Sequence, residues 1–160
     1  MSRSPKGAKL SLANAETIAT LVDRLRSVTP ESRRRWGRMT AAEMLCHLAD
    51  ASECAFGRRD FVPVDHWFGR TVVKFVALRA PMRWPPNIPT RPEFDVRAGG
   101  TRPREFEADR ARALSLLLEL ANLTEIPPKA AHPIFGRLSL WEWKRWGYLH
   151  VDHHLRQFSS

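Results

Sequence analysis

Cysteine is nearly absent from this 160-residue chain, which has only Cys46 and Cys54. If both lie on one helix they stand about 12 Å apart along its axis, at a rise of about 1.5 Å per residue, too far for a disulfide. That removes the disulfide-stapled class of secreted domain. Free thiols fit a reducing compartment, and both cysteines read as small buried apolar residues. Long apolar runs are missing as well. The best stretch, Trp67 to Leu78, is interrupted by Arg70 and Lys74 and falls short of the roughly 20 residues a spanning helix needs. The opening MSRSPKGAKL is basic with no apolar stretch behind it, so no signal peptide is expected and the expected location is the cytoplasm. With 8 glycines and 12 prolines the chain lacks the composition of a disordered polymer. It also lacks the alternation of a strand and any internal repeat.

What is present is enough apolar residue, 43%, for one core, and a length that suits one domain. Residues 1–10 read as a flexible basic lead-in and 11–160 as a single helical domain. The net charge of +9 invites a nucleic-acid reading. The arginines are scattered, however, with one compact cluster at Arg33, Arg34 and Arg35. There is no zinc-finger spacing, no Arg-rich helix and no aromatic RNA-binding signature, so the charge reads as solvated surface.

Ile18, Leu21, Val22 and Leu25 recur at helical spacing and predict a first helix over about 13–27. Thr29-Pro30 predicts a short helical turn leading to Trp36-Gly37. Thr40-Ala41-Ala42-Glu43 is a capping box that opens a second helix running to about Phe56 and stopping at Gly57. A third, over about 66–79, carries Phe68, Val72, Phe75 and Val76 on one side. Prolines recur from Pro81 to Pro103 and should exclude any helix there, leaving a connection long enough to suggest function or disorder. The leucine-dense segment 103–123 predicts a fourth helix. His132-Pro133-Ile134-Phe135-Gly136 reads as a turn. Ser139-Leu140-Trp141-Glu142 is a second capping box, opening a last helix that reaches about Phe158.

Three of the six histidines, His150, His153 and His154, sit within five residues. On a helix, positions i and i+4 are only about 40° apart around the axis, so His150 and His154 can converge on one ion, as in zinc sites built on one helix. His153 turns about 60° the other way and reads as pocket wall or outer support. The pair alone is equally consistent with hydrogen-bonded histidines, and a mononuclear site needs a third ligand from elsewhere. His47 is the best candidate. It lies among Met44, Leu45, Leu48 and Ala51, as either a satisfied core residue or a ligand. Asp50, one turn on, reads as a carboxylate that could orient His47 or as ordinary helix charge. His132 either caps the last helix or faces the pocket. Trp143 and Trp146 share a face with His150 and read as core and site rim. Trp84 reads as folding over the pocket mouth, and His66 as structural or exposed.

The chain contains Trp36-Gly37-Arg38-Met39-Thr40-Ala41-Ala42-Glu43-Met44-Leu45-Cys46-His47, then His132-Pro133-Ile134-Phe135-Gly136 followed by Trp141-Glu142-Trp143. It closes with Tyr148-Leu149-His150-Val151-Asp152-His153-His154-Leu155-Arg156-Gln157-Phe158. Together these resemble the DinB/YfiT-like superfamily of metalloproteins, closest to a branch known only as a domain of unknown function, over most of the chain from about residue 15. The resemblance implies an all-α fold: a four-helix bundle in up-down-down-up order, here with an extra short helix and the long Pro-rich connection. It also implies a metal triad of one histidine on the second helix and an H-x-x-x-H pair on the last. Those roles fall on His47, His150 and His154, with Asp50, His132, His153, Gln157, Trp143 and Trp146 around them.

Three neutral imidazoles leave a divalent ion coordinatively open. Zinc or nickel is the expected cofactor, with iron or manganese as alternatives. The expected activity is metal-dependent thiol transfer or hydrolysis, since Lewis acidity favours a thiolate over a thiol and lowers the pKa of water. Members of the superfamily that transfer low-molecular-weight thiols point to a small-molecule partner of that kind, and no catalytic residue is assigned. A non-catalytic metal-binding stress or interaction protein is the alternative. No specific nucleic acid and no membrane are expected as partners, and a homodimer is left open.

Overall fold

Thr40 and Ser139 start helices by the same chemistry. Each hydroxyl accepts from the amide three residues on (Glu43 and Glu142, both 3.2 Å), and each of those glutamates accepts back from the cap amide, at 2.8 and 2.9 Å. In a computed structural model describing residues 10–64 and 67–158, these caps open α2 (Ala41–Glu53) and α5 (Leu140–Gln157). With α1 (Ala15–Ser27), α3 (Lys74–Arg79) and α4 (Phe106–Asn122) they make five α-helices, and no strand occurs among the described residues. No helix among them is long and apolar enough to cross a membrane. The expected flexible lead-in, all but its last residue, and His66 lie outside the described residues.

The four longer helices enclose one core. α2 packs most extensively on α4, and α5 touches α1, α2 and α4. Burial from Met44 to Ser52 covers every face of α2, because α4, α5 and the connection surround it. Gly147 on α5 allows that closeness: a Cβ there would lie 2.7 Å from Leu12 and 2.8 Å from Leu120.

Three segments depart from the sequence reading. Thr29-Pro30 forms a turn but no helix, with Ser32 N donating to Thr29 O at 3.0 Å. The third helix covers 67–79 among the described residues but is irregular: Gly69–Val73 is a π-helical turn that runs into α3. Its apolar side is not packed into the core. Phe68, Val72 and Val76 remain exposed, and of α3 only Leu78 is buried, because that side borders a cavity. The Pro-rich connection is not free of helix either. Pro92–Phe94 forms a 3-10 turn with Pro92 at its start, where a missing N–H costs nothing. That turn drives Phe94 into the core at 5% exposure.

Candidate metal centre

α2 presents His47 and α5 presents His150 and His154, one helical turn apart. The ring centroids of His47 lie 5.0 Å from His150 and 4.7 Å from His154, and those of His150 and His154 lie 4.9 Å apart. One nitrogen from each ring falls within 4.8 Å of the others, and this cluster can hold a metal ion. The outward nitrogens decide the tautomers. His47 Nδ1 meets the Phe94 carbonyl at 3.1 Å and must donate to it. His154 Nδ1 meets Gln157 Oε1 at 2.9 Å. That amide is oriented in turn, because Gln157 Nε2 donates to the Trp36 carbonyl at 2.8 Å. Both Nε2 lone pairs therefore turn inward, the state a ligand needs.

His47 Nε2 and His150 Nε2 are 3.0 Å apart. With the His47 proton on Nδ1, His150 is the donor of that contact, and a divalent cation would replace the shared proton. Two imidazoles on one tetrahedral zinc stand roughly 3.3 Å apart, given bonds of about 2.05 Å. That pair needs only a few tenths of an ångström of adjustment, and the His154 nitrogen lies within 4.8 Å of both, so the donor types and their placement fit.

Burial, before any other cause, lowers all three from the ordinary value of 6.5, well below it at His150 and His154. It outweighs the Phe94 bond at His47 and the Gln157 bond at His154, and at His150 the neighbouring His154 and His47 add to it. Neutral imidazole is the form that ligates.

Around the triad, Trp146 stacks on His150 (4.9 Å, 17°) and meets Trp143 edge-on at 5.4 Å. Trp143 is fully buried and does not line the cavity. Trp84 lies against His150 and His153 at 6.4 and 6.1 Å. His153 packs edge-on against His154 at 5.1 Å and against the Trp84 ring at 6.1 Å, which brings α5 against the connection. His132 faces the same cavity, with its Nδ1 accepting from the amides of Ile134 and Phe135 at 3.2 and 3.1 Å.

Asp50 does not orient His47. Its carboxylate accepts from Thr101 N and Oγ1, both at 2.7 Å, and from Arg59 and Arg112, both at 3.1 Å. It points at the connection and α4, so the Phe94 carbonyl takes the role expected of it. Phe94 and Trp36 were not among the sequence candidates. Both act through backbone carbonyls, and a carbonyl carries no residue-type signal. Gly37 is the one residue whose identity records the arrangement: its φ is +74°, and a Cβ there would stand 2.7 Å from Gln157 Nε2.

The triad lies at the wall of a cavity of about 590 Å³, within the size range of small-molecule sites. Apolar side chains from the π turn, α3 and the connection form most of its lining. Cys54 also borders it, but burial pushes that thiol up to about 12, so it is no thiolate near neutrality.

The neutral histidines make the metal-free protein acid-sensitive. Burial and then the Arg91 charge lower His132 to about 3 from 6.5. Between those values the unfolded chain binds a proton that the native one does not, so stability rises with pH across the window and levels off above it. Each such group contributes about 1.4 kcal/mol per pH unit. After chelation, the melting temperature is expected to fall by at least about 5 °C from pH 6.5 to 5, where carboxylates scarcely titrate. A flat profile by circular dichroism would show that the histidines are already charged.

Compared with known proteins, residues 6–160 match a family model described as "Protein of unknown function (DUF1569)". No curated protein and no solved structure matches the chain.

Proposed function

The chain belongs to the DUF1569 family, and from its site we propose that it is a DinB-like metalloprotein holding zinc or nickel, or else iron or manganese, through His47, His150 and His154. Residues 11–160 form its one domain. Its four long helices α1, α2, α4 and α5 make the bundle, α3 is the extra helix, and the protein works in the cytoplasm. The reaction is metal-dependent thiol transfer or hydrolysis on a small molecule, with no specific nucleic acid and no membrane involved. The observation that carries this reading is the convergence of three buried neutral imidazoles, two with their outer nitrogens tied, at the wall of an apolar cavity.

When bound, a divalent ion supplies Lewis acidity that shifts a thiol or a water toward its deprotonated form. The chain's residues supply the rest. Phe94 and Gln157 keep the Nε2 lone pairs aimed inward. Trp146 and Trp84 border the histidines with apolar surface, which excludes water and strengthens charge interactions there.

The test is metal content per chain after reconstitution with zinc, nickel, iron or manganese and dialysis, followed by assays with thiols and electrophiles. About one equivalent of metal is expected, with turnover that disappears on chelation. A chain that retains no stoichiometric metal would remove the reading. Full metal occupancy without turnover would leave a non-catalytic metalloprotein.

A further inference from the structure

Besides α2 and α5, three segments enclose the cavity at the triad. They are the π turn with α3 (Val72, Val76), the connection (Met82, Ile88) and the turn after His132 (Ile134, Phe135). Val72, Val76, Met82 and Ile88 stay exposed although each lines it. Apolar surface left facing water is unfavourable in proportion to its area, so this wall gains from an occupant that covers it.

The polar groups of the wall define what the occupant lacks. No aspartate, glutamate or lysine lines the cavity among the described residues, so a ligand ammonium would meet no opposite charge. Arg91 pairs with Glu93 at 2.8 Å and holds the Val62 carbonyl at 2.6 Å. A ligand carboxylate would have to compete with Glu93 for it. Arg83 is exposed and stays hydrated. Two ring nitrogens are turned to the chain's own backbone: Trp84 Nε1 donates to the Ala77 carbonyl at 2.9 Å, and His132 Nδ1 accepts the Ile134 and Phe135 amides. Moving a charge from water to such a wall without a partner is costly, whereas an apolar body loses nothing by entering.

We infer that the cavity binds an uncharged small molecule by an apolar body, which lies along Val72, Val76 and Ile134 and presents its reactive end to the three histidines. This deepens the metal-centre reading by naming the class of molecule presented to the ion. It rests on that reading for what reacts, but binding of the apolar body does not require the ion. A small molecule, and not a second copy of the chain, is the occupant because the space is concave, about 590 Å³ in volume and walled on one side by the triad.

The experiment is calorimetric titration of the metal-free full chain with benzyl alcohol, 2-phenylethanol, 3-phenylpropanol and 4-phenylbutanol, and then with 4-phenylbutylamine and 4-phenylbutanoate. Affinity is expected to rise about threefold with each added methylene. The longest alcohol should bind at least about tenfold tighter than the amine or the carboxylate. Val76 is exposed, so Val76→Asp should fold. By giving the ammonium a partner, it is expected to lower the preference for alcohol over amine by at least about tenfold. A flat alcohol series, a charged congener that binds as tightly as the alcohol, or an unchanged preference in folded Val76→Asp would overturn the proposal. So would a chain that is dimeric by light scattering and becomes monomeric as Val76→Asp, which would put a second copy over the apolar lining. If no metal binds at all, these metal-free titrations still decide the proposal, so the two failures are separable.

Discussion

Alanine at His47, His150 or His154 is expected to lower metal affinity by more than about 100-fold, beyond the 10-fold to 100-fold typical of outer hydrogen-bond partners. The reason is the ligand count: two imidazoles remain, too few for a typical mononuclear zinc site. Gln157→Leu keeps all three rings but frees His154 Nδ1, so its loss should fall within the outer-partner range. His153→Ala should have a smaller effect than any triad variant, since His153 packs against the Trp84 ring and is not one of the converging three. Competition with a chromogenic chelator measures all five, with circular dichroism confirming that each is folded. If His153→Ala empties the site and His154→Ala leaves it full, the ligand pair on α5 is misassigned.

Asp50→Ala is expected to cost stability, not metal. The carboxylate is fully buried and joins α2 to Thr101 of the connection and Arg112 of α4. Removing one partner from a buried ion pair costs about 3–5 kcal/mol. Here Arg59 and Arg112 are 17% and 32% exposed and both keep Glu53 as a partner. A loss of about 2–3 kcal/mol follows, or about 5–10 °C in melting temperature for a chain of this size. In the folded variant, metal affinity should change less than about tenfold, because the His47 proton goes to Phe94. A loss matching that of Gln157→Leu would restore Asp50 as the group that orients His47. An unchanged melting curve would show that its contacts do not hold the connection in place.

Much of the helical framework was legible because its signals are local. Thr40 and Ser139 each had a glutamate three residues on, and both capping boxes form. The His150–His154 spacing places two rings on one face whatever surrounds the helix. Gly57 marks a helix stop, and in the structure it takes φ +63° after Phe56. The apolar side at Phe68, Val72 and Val76 was legible as a pattern but not as a destination. Periodicity says which residues share a side, and it cannot distinguish a side packed in the core from one bordering a cavity.

Local pattern therefore accounts for the helices, their starts and the His150–His154 pair, since each depends on atoms within about one helical turn. The meeting of His47 with that pair depends on how α2 packs against α5, across 103 positions of chain, and no local rule reaches so far. The same holds for the inward lone pairs of the histidines, which rest on the carbonyls of Phe94 and Trp36. Every residue has a carbonyl, so its use as an acceptor is set only when packing brings a donor to it.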